Sequence, residues 1–574
     1  MRKAVAASVA FIVLVLAVSF APTVSTASSY ANYANNEKAV DLKILGLLNG
    51  SGNGFDLGRA PTRLEGAVML LRLLGQEKAA EQSGWSHPFK DVPSWADAYI
   101  GYMYHSKLAT GTGSGTFGSN EPLSAIQYTV FVLRSLGYDD RNNDFIYGEA
   151  LEKAQQLGLL TAETAASLKS KKTFLRDDMV GISYNALNVK MKASGKTLLD
   201  KLIFDDRAVY GPAATVLGLY TTDLNNEIGY IDSYAPASTS FGYTAKNSGD
   251  LFMILRKFFY RNQQQFNIDI RSYGGNALKD FEQAYERAYK AVTQATGVDS
   301  YISSWKYISN GSTLSVTVNY RFTKKDFDAK AAKAKSAVNK ARTVVAGLIS
   351  KDMPAFDKEK LLHDYIINNA SFDIKNYNSG NLPEDDFTAY GCLVNGVAVC
   401  EGYSRAMKLL SDLSGIESMV ITGDTYNGEI WEGHAWNLVK LDGDWYHLDV
   451  TFDDPVMGSG ENILTYNYFN LTDSEIGKIS IWEKSDYPVC NSVKYGYYYR
   501  NNLIANNLEE FTDVIREAAN KRESLIEVKI KNYSSEGEYK NLSKIVLASG
   551  SISQFKYIVN EDLGVVRIFN IKYL

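Results

Sequence analysis

Apolar residues recur in two rhythms along this chain of 574 residues. From about 30 to 200 they fall at three- and four-residue steps, in short runs parted by Gly- and polar-rich loops. That pattern predicts pairs of amphipathic helices, and it comes three times. The first unit passes through Leu45-Gly46-Leu47-Leu48, Phe55-Asp56-Leu57 and Pro61-Thr62-Arg63-Leu64-Glu65 into an apolar helix closing at Leu74-Gly75. The second holds Phe89-Lys90-Asp91-Val92-Pro93 with Trp95, then Phe117 and a helix closing at Leu136-Gly137. The third holds Leu157-Gly158-Leu159-Leu160, then Phe174-Leu175-Arg176-Asp177-Asp178. Phe55, Phe117 and Phe174 mark equivalent places, 62 and 57 residues apart. A unit this small cannot bury its helix faces alone, so the three should pack together.

Further on, period-two alternation enters. A helix from Asp250 precedes a strand at Phe266–Ile270, and Trp305–Ile308 precedes an alternating run from Leu314 to Tyr320. The same order returns with a helix from Glu509, a strand at Ile526–Ile530, then Phe555–Ile558 and Val565–Ile571. These runs predict two similar α/β units, at about 240–322 and 500–574. An Ala- and Lys-rich helix, about 324–350, leaves the first. Between the units, Tyr403, Ala406, Met407, Leu410 and Leu413 form one helical stripe ended by Gly415. Asp442-Gly443 then predicts a two-residue hairpin turn that pairs Leu441 with Asp444. In that register His434, Trp436, Trp445, His447, Asp449 and Thr451 share one face, and His434 and Asp449 are diagonal neighbours. The cysteine helix and this hairpin must pack face to face for a thiol to meet His434.

The expected architecture is therefore multidomain. A targeting segment occupies 1–27 and an all-α repeat bundle 30–200. An α/β unit with its connecting helix follows at 205–350, an α+β cysteine domain at 351–490, and a C-terminal α/β unit at 491–574. The targeting reading rests on Arg2 and Lys3, an apolar run from Ala4 to Phe20, and Ser25-Thr26-Ala27 as cleavage site. No later run is long enough to span a membrane. Hydrophobic residues make up 45% and charged residues 22%, as in soluble globular proteins. A net charge of −5 argues against nucleic acid as a partner. The three cysteines, Cys392, Cys400 and Cys490, leave stability to the cores; Cys392 and Cys490 are either a pair or buried free thiols.

Candidate chemistry gathers around Cys400. It opens a helix in Val399-Cys400-Glu401-Gly402-Tyr403-Ser404, where unpaired N–H groups and the helix dipole favour a thiolate. His434-Ala435-Trp436-Asn437 and Trp445-Tyr446-His447-Leu448-Asp449 follow. A thiol, an imidazole and a carboxylate in that order can build a nucleophilic site. His447 and His363 read as structural. Asp453-Asp454-Pro455 reads as a turn rather than a cation site, and no metal or cofactor is called for.

These motifs, from about Leu361 to Pro455, resemble the transglutaminase-like, papain-related fold. The resemblance implies Cys400 as nucleophile, His434 as base then acid, and Asp449 as its orienter. It covers peptidases, amidases, crosslinking acyltransferases and inactive relatives; the residues leave hydrolysis and transamidation open, with hydrolysis favoured. The repeats resemble the S-layer homology module, chiefly in Thr62-Arg63-Leu64-Glu65 and Phe89-Lys90-Asp91-Val92-Pro93 with Trp95. That resemblance implies attachment to an anionic polysaccharide of the bacterial cell wall. Arg63 would be at the polymer site with its companion Glu65, Trp95 would stack on sugar, and Arg176 and Asp178 would be the third unit's counterparts. The second unit departs, with Ser124-Ala125-Ile126-Gln127 in place of the charged motif. The combined expectation is an exported, wall-anchored protein whose Cys–His–Asp site acts on amide bonds of a protein or peptide. The alternative is a wall or surface-layer scaffold with an inactive cysteine domain.

Overall fold

The computed structural model describes residues 33–50, 54–219, 243–426, 430–455, 463–548 and 551–574. The targeting segment read at 1–27 lies outside them. Among the described residues no helix is long and apolar enough to cross a membrane.

Between 33 and 219 the described elements are helices and turns. Three helices of 11 residues, Arg63–Leu73, Ala125–Ser135 and Arg176–Ala186, begin in the same way. The Thr62 hydroxyl accepts the Glu65 N–H while the Glu65 carboxylate accepts the Thr62 N–H. Ser124 and Gln127 repeat that reciprocal cap. At the third start Asp178 accepts the Leu175 N–H, and leucine has no oxygen to return the bond. Neighbouring units are stitched through these starts: the Arg63 N–H donates to the Glu121 carbonyl and the Arg176 N–H to the Arg59 carbonyl. All three helices feed one continuous core.

The two later α/β regions share one topology. In the first, the sheet order is Tyr243–Thr244, Gln265–Asp269, Thr313–Tyr320, Ile302–Ser309; in the second, Ile504–Ala505, Leu525–Ile530, Val565–Tyr573, Ile552–Asn560. The short first strand is parallel to the second and the other pairs are antiparallel in both. Asn247 and Asn507 cap the helices that follow each first strand.

The cysteine region lies between them in sequence. Its helix, Cys400–Ser414, buries Tyr403, Ala406, Met407, Leu410 and Leu413 and ends at Gly415 in the left-handed region. The antiparallel sheet beside it runs Ser480–Ile481, Ser418–Tyr426, Trp431–Leu441, Asp444–Leu448. Asp442 and Gly443 both take positive φ, 49° and 95°, which makes the tight turn and pairs Leu441 with Asp444. The long helix Lys324–Leu348 contributes Ala341, Val344 and Val345 to the cysteine-region core. Its Arg342 forms an ion pair with Asp41 of the first repeat, which ties the helical region to this core.

One expectation about packing does not hold. The helix covers the alternate face of the hairpin, the one carrying Val439, Leu441, Tyr446 and Leu448. Trp436 and Leu438, on the His434 side, lie in a separate cluster with Ile421 and Cys490. Side chains alternate, so Val439, Leu441, Tyr446 and Leu448 meet the helix while the His434 side faces the other cluster.

Candidate active site

The start of the cysteine helix is held by close backbone packing. The Val399 N–H donates to the Asp386 carbonyl at 3.0 Å. A Cβ at Gly402 would stand 2.3 Å from that same oxygen, so only glycine fits the first turn. The Ser404 hydroxyl lies 2.8 Å from the Cys400 carbonyl and 2.9 Å from that of Ala435. The Asn437 amide donates to the Ser404 carbonyl at 3.0 Å. These bonds lock the first helical turn to the strand that carries His434.

Cys400 is partly exposed at this helix start, and its sulfur is near enough to the His434 ring to favour the ring's charged form. The opposite side of that ring is taken: Nε2 lies 2.7 Å from Asp449 Oδ2. Asp449 is 1% exposed and its Oδ1 accepts the Thr451 and Phe452 N–H groups, both at 3.1 Å. The imidazole is stacked between Phe452, 4.6 Å away, and Trp436, 5.8 Å away. Burial works against charging this ring. The Asp449 carboxylate and the Cys400 sulfur outweigh it, and the pKa is pushed up to about 10. An imidazolium is thus stable beside the thiol, with Nε2 committed to the carboxylate and Nδ1 left for the sulfur.

Two residues with no motif to announce them complete this neighbourhood. Tyr377, on the short helix Ile374–Ser379, donates its hydroxyl to Glu432. Burial, then Glu432, then the nearby Cys400 sulfur raise its pKa to about 12. Phe372 holds the Tyr377 ring edge-on at 5.4 Å.

His447, Asp473 and Cys490 form a second group whose ligand atoms lie within 4.8 Å of one another. Trp436 Nε1–H donates to His447 Nδ1 at 2.9 Å, so the ring's proton sits on Nε2, which faces Asp473 at 2.9 Å. That tautomer offers no lone pair toward the cluster, so the three do not suit a metal while the indole bond stands. His363 is fully buried between Asp364 and Asp453. Cys392 and Cys490 are free thiols in different clusters, not a pair, and burial pushes both thiols up.

In the helical region, Arg63 is buried and donates to the Phe117 and Thr110 carbonyls at 2.9 and 2.8 Å. It lines a cavity of about 390 Å³ together with Thr112, Glu121, Gln127, Arg134 and Tyr147. The other candidates lie outside that lining. Glu65 caps its helix and pairs with Arg59. Trp95 is 62% exposed on a turn. Arg176 donates to the Phe55 carbonyl at 3.0 Å, in the way Arg63 does to Phe117. Asp178 pairs with Lys171.

Residues 342–450 match the model of the transglutaminase-like superfamily, and the chain carries a transglutaminase-like domain. A stretch of 194 residues is 35% identical to a cell surface protein of Thermoanaerobacter kivui, covering 33% of this chain and 24% of that protein. Another of 162 residues is 25% identical to a middle cell wall protein of Brevibacillus brevis, covering 28% of this chain and 15% of that protein. The chain thus spans a quarter or less of the length of these relatives. A solved structure of a TGase aligns with 17% identity over 33% of this chain and 50% of its own, at a TM-score of 0.19. That likeness is too slight to bear on the chemistry.

Proposed function

We propose that the protein is a surface-attached enzyme that transfers acyl groups from amide bonds, with Cys400, His434 and Asp449 as its catalytic residues. The observation that carries the reading is the His434 ring, held by Asp449 at one nitrogen and turned to a partly exposed thiol at a helix start. Cys400 attacks the amide carbonyl carbon as the thiolate, its proton already held on the His434 ring. The developing oxyanion faces the helix start, where the Cys400 N–H is the candidate donor. His434 returns the proton to the departing amine, the C–N bond breaks, and a thioester remains. Water attacks next, His434 takes its proton, and the acid is released with the thiol restored; an amine attacking instead makes a new amide. Hydrolysis is the favoured branch, as peptidase or amidase. Incubation with a labelled amine and a glutamine-bearing protein, while peptide cleavage is followed, separates the branches. Cleavage lost in Cys400→Ser supports this reading; amine incorporation without cleavage replaces it with crosslinking.

Surface attachment rests on the relatives named as cell surface and cell wall proteins and on the Arg63 cavity, whose two arginines suit an anionic sugar polymer. Attachment to a secondary cell-wall polysaccharide is tested by co-sedimentation of the full chain with purified walls. Loss of binding on Arg63→Ala is expected, and undiminished binding removes that cavity from the account.

A further inference from the structure

We infer that His363 is a positioning residue for the acyl-transfer site: a buried imidazolium, clasped between Asp364 and Asp453, that anchors the turn holding Asp449 and Phe452 against the His434 ring. This rests on the acyl-transfer reading above. The turn that follows the hairpin orients His434 twice. Asp449 takes the ring's Nε2 at 2.7 Å, and Phe452 stacks on the ring at 4.6 Å. Asp449 is in turn oriented by the Thr451 and Phe452 N–H groups. Asp453 closes the turn, its N–H donating to the Asp449 carbonyl at 3.2 Å. The Asp453 side chain is wholly buried. Its Oδ1 accepts the Tyr468 N–H at 2.9 Å and the Thr465 hydroxyl at 3.0 Å. Tyr468 returns the grip, its carbonyl accepting the Asp449 N–H at 3.1 Å. Oδ2 faces His363 Nε2 at 3.2 Å, on the helix Ala355–Asn369. The next residue, Asp454, accepts the hydroxyl of Tyr403 on the cysteine helix at 2.6 Å. The turn is thus held between the His363 helix and the helix that opens at Cys400.

The ring's charge follows from its two partners. His363 Nδ1 faces Asp364 Oδ1 at 3.0 Å, so each nitrogen meets a carboxylate oxygen. A neutral imidazole has one N–H and cannot donate to both; an imidazolium can. Burial opposes charge on this ring, but the two carboxylates outweigh it and raise its pKa. Burial also pushes the Asp453 carboxyl up, and the His363 cation with the Tyr468 and Thr465 bonds pulls it back. The other groups around the ring leave this pairing intact. Lys360 bonds Asp364 Oδ2 at 2.6 Å and the Tyr466 hydroxyl at 2.6 Å. The Tyr466 and Phe469 rings pack on the imidazole at 5.4 and 5.0 Å. Burial pushes Glu359 up to about 8, so it is neutral at pH 7, and Asp454 up to about 6. A buried ion pair adds little stability, because desolvation offsets its attraction. Its directional hold on Asp453 is what reaches the site. Without the imidazolium, a wholly buried carboxylate loses its counter-charge, and the turn that orients Asp449 must shift.

The first test does not depend on turnover. Ring nitrogen spectra of the full chain, labelled at its five histidines, are assigned by the signals lost in single His→Gln variants. His363 should show both ring nitrogens protonated at pH 7; a neutral His363 overturns the inference. The second test separates positioning from folding. His363→Gln keeps one donor and no charge. It should lower kcat about tenfold to a hundredfold, the scale of a misplaced catalytic group, with KM within about twofold. Cys400's lead in iodoacetamide labelling at pH 6 should shrink with it. In His363→Gln with Asp453→Asn the stranded carboxylate is gone and two amides can bond, so at least about threefold of the lost kcat should return. Wild-type kcat in His363→Gln, a KM that rises as far as kcat falls, or equal impairment of the single and double variants overturns the inference. Should the single variant fail to fold, the ring spectrum and the double variant decide. A neutral His363 in an active wild-type enzyme removes this inference alone. A wild-type protein with neither amide turnover nor preferential labelling of Cys400 sinks the acyl-transfer reading, whatever the ring spectrum shows.

Discussion

Cys400, His434 and Asp449 on one hand, and Cys490, His447 and Asp473 on the other, are the same three residue types gathered around one tryptophan. Trp436 stacks on His434 and donates its indole proton to His447. Yet the two groups are tuned in opposite directions. Burial acts against charge on both rings, but His434 is pushed up to about 10, whereas His447 is pulled below its ordinary value. Cys400 is partly open to solvent at a helix start, while Cys490 is fully buried and its thiol is pushed up. The lesson is that residue types do not make a nucleophile. Access to solvent, a free ring nitrogen facing the sulfur, and a carboxylate dedicated to the other nitrogen distinguish the first group. In the second, the indole bond occupies the nitrogen that would serve a thiol, and the cluster becomes a brace behind the first.

The contrast can be broken most sharply at the sulfurs. Cys400→Ser should lower amide turnover at least about a thousandfold with the melting temperature little changed. Cys490→Ser should leave turnover within about twofold and cost about 1 kcal/mol of stability, read by denaturant unfolding. Next in size, Asp449→Asn should reduce kcat/KM by about 10²–10⁴-fold, because the amide still bonds the ring but no longer stabilises its cation. Asp473→Asn should cost less than tenfold.

The pH dependence of stability sharpens the comparison further, because the signs differ. His434 binds its proton more tightly folded than unfolded. Its contribution is complete below about 6.5 and is lost as pH rises toward about 10. His447 binds its proton less tightly folded, so its contribution is lost as pH falls below about 6.5. The stability gap between wild type and Asp449→Asn should therefore shrink between pH 7 and 10. His447→Gln should flatten the acid limb and leave the alkaline limb in place. Coincident pH curves for wild type and both variants would erase the distinction. A modest effect is expected of Trp436→Phe, which keeps a ring against His434 but drops the indole proton, with a fall in kcat/KM of about threefold to tenfold.

Much of this was legible in the chain. Asp442-Gly443 specifies a turn with positive φ at both positions, and from that turn the whole register of the hairpin follows, including the nearness of His434 to Asp449. The helical stripe from Tyr403 to Leu413 and the repeated Thr62 and Ser124 caps are local signals, governed by neighbours three and four residues away. What escaped is set by distant packing. Tyr377 and Glu432 are 55 residues apart, and nothing in either segment says that a short helix will lay a phenol across that carboxylate. Asp473 opens a short helix, 26 residues beyond His447. The face that takes the cysteine helix was also hidden, because both faces of the hairpin carry apolar side chains. In the repeats, the Arg63 motif marks a helix start plainly, but its partners, the Phe117 and Thr110 carbonyls, belong to the next unit.

The most direct test of the central claim is alkylation of the three thiols at pH 6 with iodoacetamide, followed residue by residue. The account predicts that Cys400 is modified well before Cys392 and Cys490, and that its advantage collapses in Asp449→Asn. Slow, equal modification of all three, or a Cys400 rate indifferent to Asp449, would contradict it.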